Sequence, residues 1–406
     1  MSLARLRERL EAAATDPELR RLGPGLQASL RLENGGDALV LRLDAGEPLF
    51  LATDAPADIV LAAAPEAWDQ ALASPPPPRF HAFTAFAIAN PDFTLTGDPL
   101  QIARARPVLE RLFEQVAASE PAPATEVPRD LRQVASRYHR LETAEGPCDL
   151  FVESAGSGVP ILFLHTAGAD ARQFHGQLAD IGLGRSWRMI APDMPFHGRS
   201  MPPMGWRGEP YRLNAARYLG WCVAIIEQIA GDKVVVAGGS MGAAMALLLA
   251  AERPDLVAGV VAIEPPFQSK GRRNPYQHHV GIHAGLHNSS FVRGLMSPTS
   301  PLDQRRRAAW IYSQGAPEIY SGDLAFYSEE FDGALIAPRI DTKRTPVALL
   351  CGTYDYSATP EDGQKLAALM PGAALRVMDG LGHFPMCENP DLFRPHLVAA
   401  LDHIAA

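Results

Sequence analysis

Short apolar segments alternate with helix-like segments through the last two thirds of the 406-residue chain, and this alternation sharply limits the choice of fold. Continuous apolar segments bounded by turn residues are typical of strands buried on both faces, with helices covering a mostly parallel sheet. The predicted strands are 158–165, 188–191, 233–237, 257–263 and 345–351, and the predicted helices are 172–181, 215–230 and 242–252. In such an α/β architecture, ligands bind at the carboxyl ends of the strands.

One short segment joins a predicted strand directly to a predicted helix. It reads Gly-Gly-Ser-Met-Gly, is centred on Ser240, and lies between the strand 233–237 and the helix 242–252. Glycines permit a turn that is too tight for side chains beside the serine backbone. The start of the helix directs amide groups and a positive dipole end at the same spot. A Gly-x-Ser-x-Gly sequence in this context predicts that Ser240 is a nucleophile.

A serine hydroxyl needs an adjacent base to react, and that base needs an acid to orient it. His383 is the candidate base, because it lies on a glycine-flanked loop between the apolar segment 374–378 and the C-terminal helix. Asp355 is the candidate acid, because it follows a predicted strand and precedes the histidine. The chain order Ser, Asp, His is the one expected after a serine turn of this kind. Glu264 and Asp379 are the rival acids.

The oxyanion that forms on nucleophilic attack needs hydrogen-bond donors where its charge develops. The backbone N–H of Met241, directly after the serine, is one predicted donor. The loop that follows the first buried strand should supply another. We predict Ala167 as this second donor, with Thr166 as the alternative and His165 as a structural residue.

The chain divides at residues 117–128, which read AASEPAPATEVP. A segment rich in Pro, Ala and Glu without apolar periodicity is typical of a linker. We therefore predict an α+β domain over residues 1–116, a linker over 117–130 and a larger domain over 131–406. In the first domain the predicted strands are 27–32, 37–43, 48–52 and 57–61, and predicted helices begin at the N-terminus, at Pro65 and at Pro99.

Residues 133–406 resemble the α/β-hydrolase family. The resemblance rests on the serine turn, on HTAG at 165–168, DMPFHGRS at 193–200, GTYD at 352–355 and LGHFP at 381–385. It implies the parallel-sheet fold of that family with a cap inserted at about 267–343. It also implies an esterase, thioesterase, lactonase or carbon–carbon hydrolase activity. The family usually has glycine where this chain has Thr166 and Phe196.

Residues 20–115 resemble the sterol-carrier-protein-2 (SCP2) fold. The resemblance rests on ADIVLAAAPEAW at 57–68, PPPPRFHAF at 75–83 and FTLTGDPLQ at 93–101. It implies an SCP2-like α+β domain, and members of that family often hold lipid in an apolar tunnel. The alternative is a domain that only packs against the rest of the chain or forms a homodimer.

The cap region contains clustered aromatic residues and histidines. Aromatic density favours an apolar or aromatic substrate, although the core of a cap would show the same composition. The predicted pocket residues are Thr166, Glu264, His283, Trp310 and Tyr327. Three histidines, at 279, 283 and 287, have the spacing of one helical face, but no carboxylate or cysteine completes a metal site. We predict no metal and no cofactor, and we predict that the basic run at 305–307 is a solvated surface.

Charge and composition argue against several classes of function. The formal net charge is −9 and no long run of Lys or Arg occurs, so nucleic-acid binding is not expected. The longest apolar segments are too short to cross a bilayer. The N-terminus carries charges among its leucines and is not typical of a signal peptide. Four widely spaced cysteines match no metal motif and predict free thiols in a cytoplasmic protein.

The predicted function is hydrolysis of a carboxylic ester of an apolar or aromatic substrate through an acyl-enzyme on Ser240. Two other reactions fit the same residues: carbon–carbon hydrolysis of a diketone-like substrate, and acyl thioester hydrolysis. A lipid-binding or scaffold protein with an inactive hydrolase half is the alternative outside enzymes. The expected partners are a small apolar substrate and, through the N-terminal domain, a second copy of the chain.

Overall fold

The computed structural model describes residues 2–406, whose strands form two separate sheets. The sheet of the N-terminal domain contains β1 (Gln27–Asn34), β2 (Asp37–Asp44), β3 (Glu47–Phe50), β4 (Ile59–Ala63) and β5 (Phe93–Gly97). The strand order is β3-β2-β1-β4-β5, with β1 and β4 parallel and the other neighbours antiparallel. The four predicted strands correspond to β1–β4. The fifth strand was missing from the prediction because its threonines and glycine give it little apolar character.

Helices pack on this first sheet and close its core. They are α1 (Ser2–Ala13), α2 (Pro17–Leu22), α3 (Pro65–Ala71), α4 (Phe83–Ile88) and α5 (Pro99–Val116). The long helix α5 begins at a proline after the cap residue Asp98, whose carboxylate accepts the Gln101 backbone N–H. Aromatic rings fill the interior, where Phe86 stacks on Phe93 and Trp68 meets Phe93 edge to face. The core of this domain is therefore packed with side chains.

The second sheet carries the larger part of the chain. Its strands are β6 (Ala135–Thr143), β7 (Gly146–Ala155), β8 (Val159–Leu164), β9 (Trp187–Pro192), β10 (Val234–Gly239), β11 (Val257–Ile263), β12 (Val347–Gly352) and β13 (Ala374–Met378). The strand order is β13-β12-β11-β10-β8-β9-β7-β6, and β8 through β13 pair in parallel. The order of strands reverses between β8 and β10, so a crevice opens at their carboxyl ends.

Side chains of alternate residues on the central strands point to opposite faces of this sheet. Leu162 and Val236 contribute to one buried cluster, and Phe163 and Val235 contribute to the other. The helices outside the cap are α6 (His175–Leu178), α7 (Ala215–Ile225), α8 (Met241–Glu252), α13 (Pro360–Leu369), α14 (Pro385–Glu388) and α15 (Pro390–Ala405). Helix α8 packs against the first face and α15 against the second. The structure thus has the predicted mostly parallel sheet with helices on both faces.

In this part of the chain one hairpin was missed and one predicted helix was wrong. The antiparallel hairpin of β6 and β7 was missed, because β6 lies at the sheet edge and exposes most of its residues. The predicted helix 172–181 is instead a short 3₁₀ turn, Ala171–Phe174, followed by the single turn of α6. Neither difference changes the crevice at the carboxyl ends of β8 and β10.

Helices between β11 and β12 cover that crevice, in the region predicted as a cap. They are α9 (Ala284–Gly294), α10 (Leu302–Tyr312), α11 (Ile319–Ala325) and α12 (Gly333–Ile336). Helix α9 begins at Ala284 with His283 as its cap residue, so the three histidines at 279, 283 and 287 do not share one helical face as predicted. Helix α9 also packs against α5 of the N-terminal domain.

Ion pairs link the N-terminal domain to the cap. Glu114 on α5 receives hydrogen bonds from Arg293 at 2.7 Å and from Arg305 at 2.7 Å, and both arginines are buried. Glu18 on α2 pairs with Arg293 and with Arg306. We call Glu18, Arg111, Glu114, Arg293, Arg305 and Arg306 the junction cluster. The prediction of a solvated surface at 305–307 was wrong for Arg305, because its guanidinium pairs with a carboxylate of the other domain.

Candidate active site

Ser240 occupies the tight turn between β10 and α8. Its backbone has a φ of 51°, a left-handed conformation that is strained for a residue with a side chain. The turn needs glycine on both sides of the serine. A Cβ atom on Gly238 would lie 2.1 Å from the carbonyl oxygen of Gly242, and one on Gly242 would lie 2.3 Å from that of Leu164. The turn therefore lifts the serine hydroxyl above the carboxyl end of the sheet.

The three side chains predicted as nucleophile, base and acid lie close together in the structure. The Nε2 atom of His383 lies 2.8 Å from the Oγ atom of Ser240. Its Nδ1 atom lies 2.5 Å from Oδ2 of Asp355. The three residues are at most 5% exposed. With the Nδ1 proton donated to a carboxylate, the lone pair of Nε2 faces the serine hydroxyl, as a general base requires.

Each of these residues follows a strand of the large sheet. Asp355 lies just after β12, where its other oxygen accepts the backbone N–H groups of Ser357 and Ala358 at 2.6 and 3.1 Å. His383 lies on the loop between β13 and α14. Parallel strands place their carboxyl ends along one edge, which explains why residues far apart in the sequence meet there.

Among the described residues, neither rival acid forms a hydrogen bond or ion pair with the histidine. Both carboxylate oxygens of Glu264 lie 2.9 Å from the backbone N–H of Gly352, so this side chain ties β11 to β12. Burial and the neighbouring charge of Asp355 raise the pKa of Glu264 well above its ordinary value. Asp379 accepts a hydrogen bond from Thr353 instead. Glu264 does not line the cavity within residues 2–406, so its prediction as a pocket residue was wrong.

Two backbone N–H groups near Ser240 are free to donate. Met241 is the first residue of α8, and Ala167 lies in the loop after β8 beside the serine. Across residues 2–406 neither N–H has an acceptor. The backbone N–H of Thr166, the alternative donor, is already bonded to the side-chain oxygen of Gln173 at 3.0 Å. The geometry therefore favours Ala167 over Thr166.

Two buried carboxylates that the sequence analysis missed hold the loops of this site. Asp323 on α11 accepts the backbone N–H of Gly168 at 2.7 Å and the Tyr211 hydroxyl at 2.7 Å. Glu388 on α14 accepts the backbone N–H of Gly382, next to the histidine, at 2.7 Å. Each is a single acidic residue on a helix without a surrounding motif, so no sequence signal marked it.

A cavity of about 680 Å³ opens above Ser240. Two predicted pocket residues, Thr166 and Tyr327, line it. The other cap predictions were wrong, because His283 caps α9 on the surface and Trp310 is 57% exposed on the outer side of α10. The N-terminal domain, which was not predicted to reach this site, supplies lining residues including Thr84, Ile102, Ala103 and Arg106.

The cap histidines make separate contacts. The Nδ1 atoms of His279 and His283 accept backbone N–H groups nearby, and His287 bonds to the carbonyl oxygen of Ala103. Over residues 2–406, no group of three His, Cys, Asp or Glu side chains is arranged to hold a metal ion. The helices of this same range include none with the length and apolar character needed to span a membrane.

Comparison with known proteins gives matches to the second domain. A family model described as alpha/beta hydrolase fold matches residues 159–390. A 2-hydroxy-6-oxononadienedioate/2-hydroxy-6-oxononatrienedioate hydrolase of Dechloromonas aromatica is 24% identical, over 66% of this chain and 96% of that protein. The magnesium-chelatase 30 kDa subunit of Rhodobacter capsulatus is 28% identical, over 59% of this chain and 86% of that one. The solved structure of a thermophilic esterase from Thermogutta terrifontis has a TM-score of 0.58 and 19% identity, over 66% of this chain and all of that one.

Proposed function

Because the chain belongs to the α/β-hydrolase family, we propose that it cleaves carboxylic esters of apolar or aromatic substrates through an acyl-enzyme on Ser240. The observation that carries this proposal is the hydrogen-bonded series of Ser240, His383 and Asp355, with 2.8 Å and 2.5 Å between the reacting atoms. A buried serine bonded to a histidine, which is in turn bonded to a carboxylate, is the arrangement that activates a hydroxyl for attack on a carbonyl.

The reaction follows from the placement of each group. His383 takes the proton of Ser240 as the serine oxygen attacks the ester carbonyl, and Asp355 stabilises the resulting imidazolium. The backbone N–H groups of Met241 and Ala167 donate to the oxyanion. The histidine then gives its proton to the departing alcohol, which leaves an acyl group on the serine. Water activated by the same histidine hydrolyses this acyl-enzyme and restores the free serine.

The proposal is tested by Ser240→Ala. The variant removes the nucleophile and no buried contact of the core, so the melting temperature should change little while kcat on 4-nitrophenyl esters falls by at least about 10³-fold. Ser157→Ala is the matched control, because Ser157 is exposed on the loop before β8. Turnover retained in Ser240→Ala would contradict the proposal. A wild-type protein that fails to react with a fluorophosphonate at Ser240 would favour the lipid-binding or scaffold alternative.

Carbon–carbon hydrolysis is the second candidate. It is favoured by the similarity to the relative from Dechloromonas aromatica, which is a hydrolase of 2-hydroxy-6-oxononadienedioate. The same serine, histidine and oxyanion donors could act on a diketone-like substrate. The products distinguish the two reactions: an ester gives an acid and an alcohol, and carbon–carbon cleavage gives an acid and a ketone. Release of a free thiol from an acyl-CoA would identify the thioesterase alternative instead.

For the N-terminal domain we propose a role in forming the substrate cavity. Its aromatic core is filled by rings such as Trp68, Phe86 and Phe93, which does not favour the lipid tunnel implied by an SCP2-like fold. The face formed by α5 packs against α9 of the same chain. Dimerisation through this domain and a cytoplasmic location stay predictions.

A further inference from the structure

The cavity above Ser240 contains a buried positive charge from the other domain. Arg106 on α5 lines the same cavity as Ser240 and His383. We propose that Arg106 binds a carboxylate that the substrate carries at a distance from its scissile carbonyl, so that the N-terminal domain selects the substrate. This inference rests on the proposed hydrolase function and specifies the substrate class.

Within residues 2–406, the guanidinium of Arg106 is not ion-paired with a carboxylate. The residue is 7% exposed, its Nη1 donates to the Thr84 hydroxyl at 3.0 Å, and its Nε has no hydrogen-bond partner. The cation lies 4.2 Å from the centre of the Phe291 ring. Within residues 2–406, no carboxylate forms a salt bridge with it. A buried cation without a paired anion is costly, and a ligand carboxylate would supply that anion.

The neighbouring carboxyl group is engaged elsewhere. Glu110 accepts the backbone N–H and the hydroxyl of Thr84 at 2.9 and 2.6 Å, so the threonine hydroxyl stands between Glu110 and Arg106. Burial raises the pKa of Glu110 to about 7, which leaves this group partly protonated at neutral pH. Glu110 therefore only partly compensates the charge of Arg106.

The other charged side chains of the cavity lining have the same sign. They are Arg79 and Lys270, both exposed, and Arg272, which is half-buried. Over residues 2–406 the lining includes no aspartate or glutamate. Burial lowers the pKa of His287 to about 4, so this neighbour is neutral. Such a lining attracts anions, and one buried guanidinium matches the charge and the planar geometry of one carboxylate.

The test compares paired substrates that differ in one charge. Mono-4-nitrophenyl esters of dicarboxylic acids from adipate to sebacate carry a free carboxylate, and their methyl-capped diesters do not. We expect the wild-type protein to prefer at least one anionic ester over its capped partner. Arg106→Gln should then lower kcat/KM for that ester by at least about tenfold, mainly through KM, and change kcat/KM for the capped ester by less than about threefold.

Arg104→Gln is the matched control, because Arg104 is exposed on the same helix and bonds to the carbonyl oxygen of Gly281. It should leave both kcat/KM values unchanged. No preference for any anionic ester, or an equal loss on both esters in Arg106→Gln, would overturn the inference.

Binding of the free dicarboxylates gives a readout that needs neither turnover nor a variant. The preferred dicarboxylate should raise the melting temperature of the wild-type protein, and its dimethyl ester should not. If none of the dicarboxylates does so, the inference fails. If they do but no ester is hydrolysed, the proposed hydrolase function fails and carboxylate binding stands.

Discussion

His383 depends on a buried carboxylate that follows it on α14. Glu388 accepts N–H groups from Gly382 at 2.7 Å and from Ser297 at 3.3 Å, and it accepts the Ser300 hydroxyl at 3.0 Å. These bonds fix the loop that carries the histidine against the start of α10. A shift of about 1 Å in a catalytic group can cost about 100-fold in rate, so we expect Glu388 to act as a positioning residue for His383.

Replacing this carboxylate should affect the rate more than substrate binding. In Glu388→Gln the amide oxygen can replace Oε1, but the amide NH2 cannot accept the backbone N–H of Phe384 that Oε2 accepts at 3.4 Å, so the loop beside His383 should move. We expect kcat to fall by about 10- to 100-fold while KM changes by less than about threefold. Steady-state kinetics and the rate of fluorophosphonate labelling measure the effect. Glu361→Gln, at an exposed position of α13, is the control, and an unchanged kcat in Glu388→Gln would refute this role.

Among single residues, the sequence predicted best those that lie directly after the end of a strand. The meeting of Ser240, Asp355 and His383 could be predicted because each follows an apolar segment and has a motif around it. Trp310 and His283 were misplaced because the side of a helix that faces a cavity depends on what packs against that helix, which a single sequence does not specify. Glu388 had no motif at all.

The element that defines the site is the strand–turn–helix unit of β10 and α8. Gly242 lets this helix approach β8 closely, and its α-carbon leaves no room for a side chain against the carbonyl of Leu164. The sequence predicted this unit well, because apolar strand, small residues and helix are contiguous. The hairpin of β6 and β7 could not be found in the same way, since edge strands bury few side chains and show weak apolar patterning.

Two glycine-to-alanine substitutions distinguish the effect of close packing on stability from the effect of helix propensity. Gly242→Ala places a methyl group 2.3 Å from a backbone oxygen, so the free energy of unfolding should fall by at least about 2 kcal/mol, and esterase activity should fall with it. Gly220 is an exposed position of helix α7 with open space around it, and Gly220→Ala should stabilise the protein by about 0.5–1 kcal/mol. Chemical denaturation measures both. Equal stability changes in the two variants would contradict this explanation.

On the scale of the whole molecule, the two domains are joined by buried charges. Glu114 lies between Arg111, Arg293 and Arg305, so the junction cluster contains cations from both sides of the linker. The composition of residues 117–130 predicts a linker. The ion pairs that join its two sides could not be predicted, because the two halves of each pair lie far apart in the sequence and no local pattern relates them.

The junction cluster predicts a loss of stability in acid. Burial acts to raise the pKa of Glu114, but Arg293 and Arg305 outweigh it and lower this pKa from 4.5 to about 2. The stabilising contribution of the carboxylate is therefore present above about pH 4.5 and is lost as the pH falls towards 2. Between pH 5 and pH 3, Glu114→Gln should lose less stability than wild type by about 1–2 kcal/mol.

Urea unfolding at the two pH values measures this difference. Glu120→Gln, an exposed position just after α5, is the control and should follow the wild-type pH dependence. An identical pH dependence in Glu114→Gln and wild type would show that this carboxylate does not stabilise the junction in acid.

The cavity above Ser240 is lined by residues of both domains, and this has a consequence for how such a protein diversifies. Eight residues of the N-terminal domain line the space above the serine without belonging to the unit proposed to perform the chemistry: Arg79, Thr84, Ile88, Ala89, Pro99, Ile102, Ala103 and Arg106. Under the proposal that Arg106 selects the substrate, changes in residues 1–116 can retune specificity while the residues around Ser240 are inherited unaltered. Recognition and reaction would then be free to evolve at different rates.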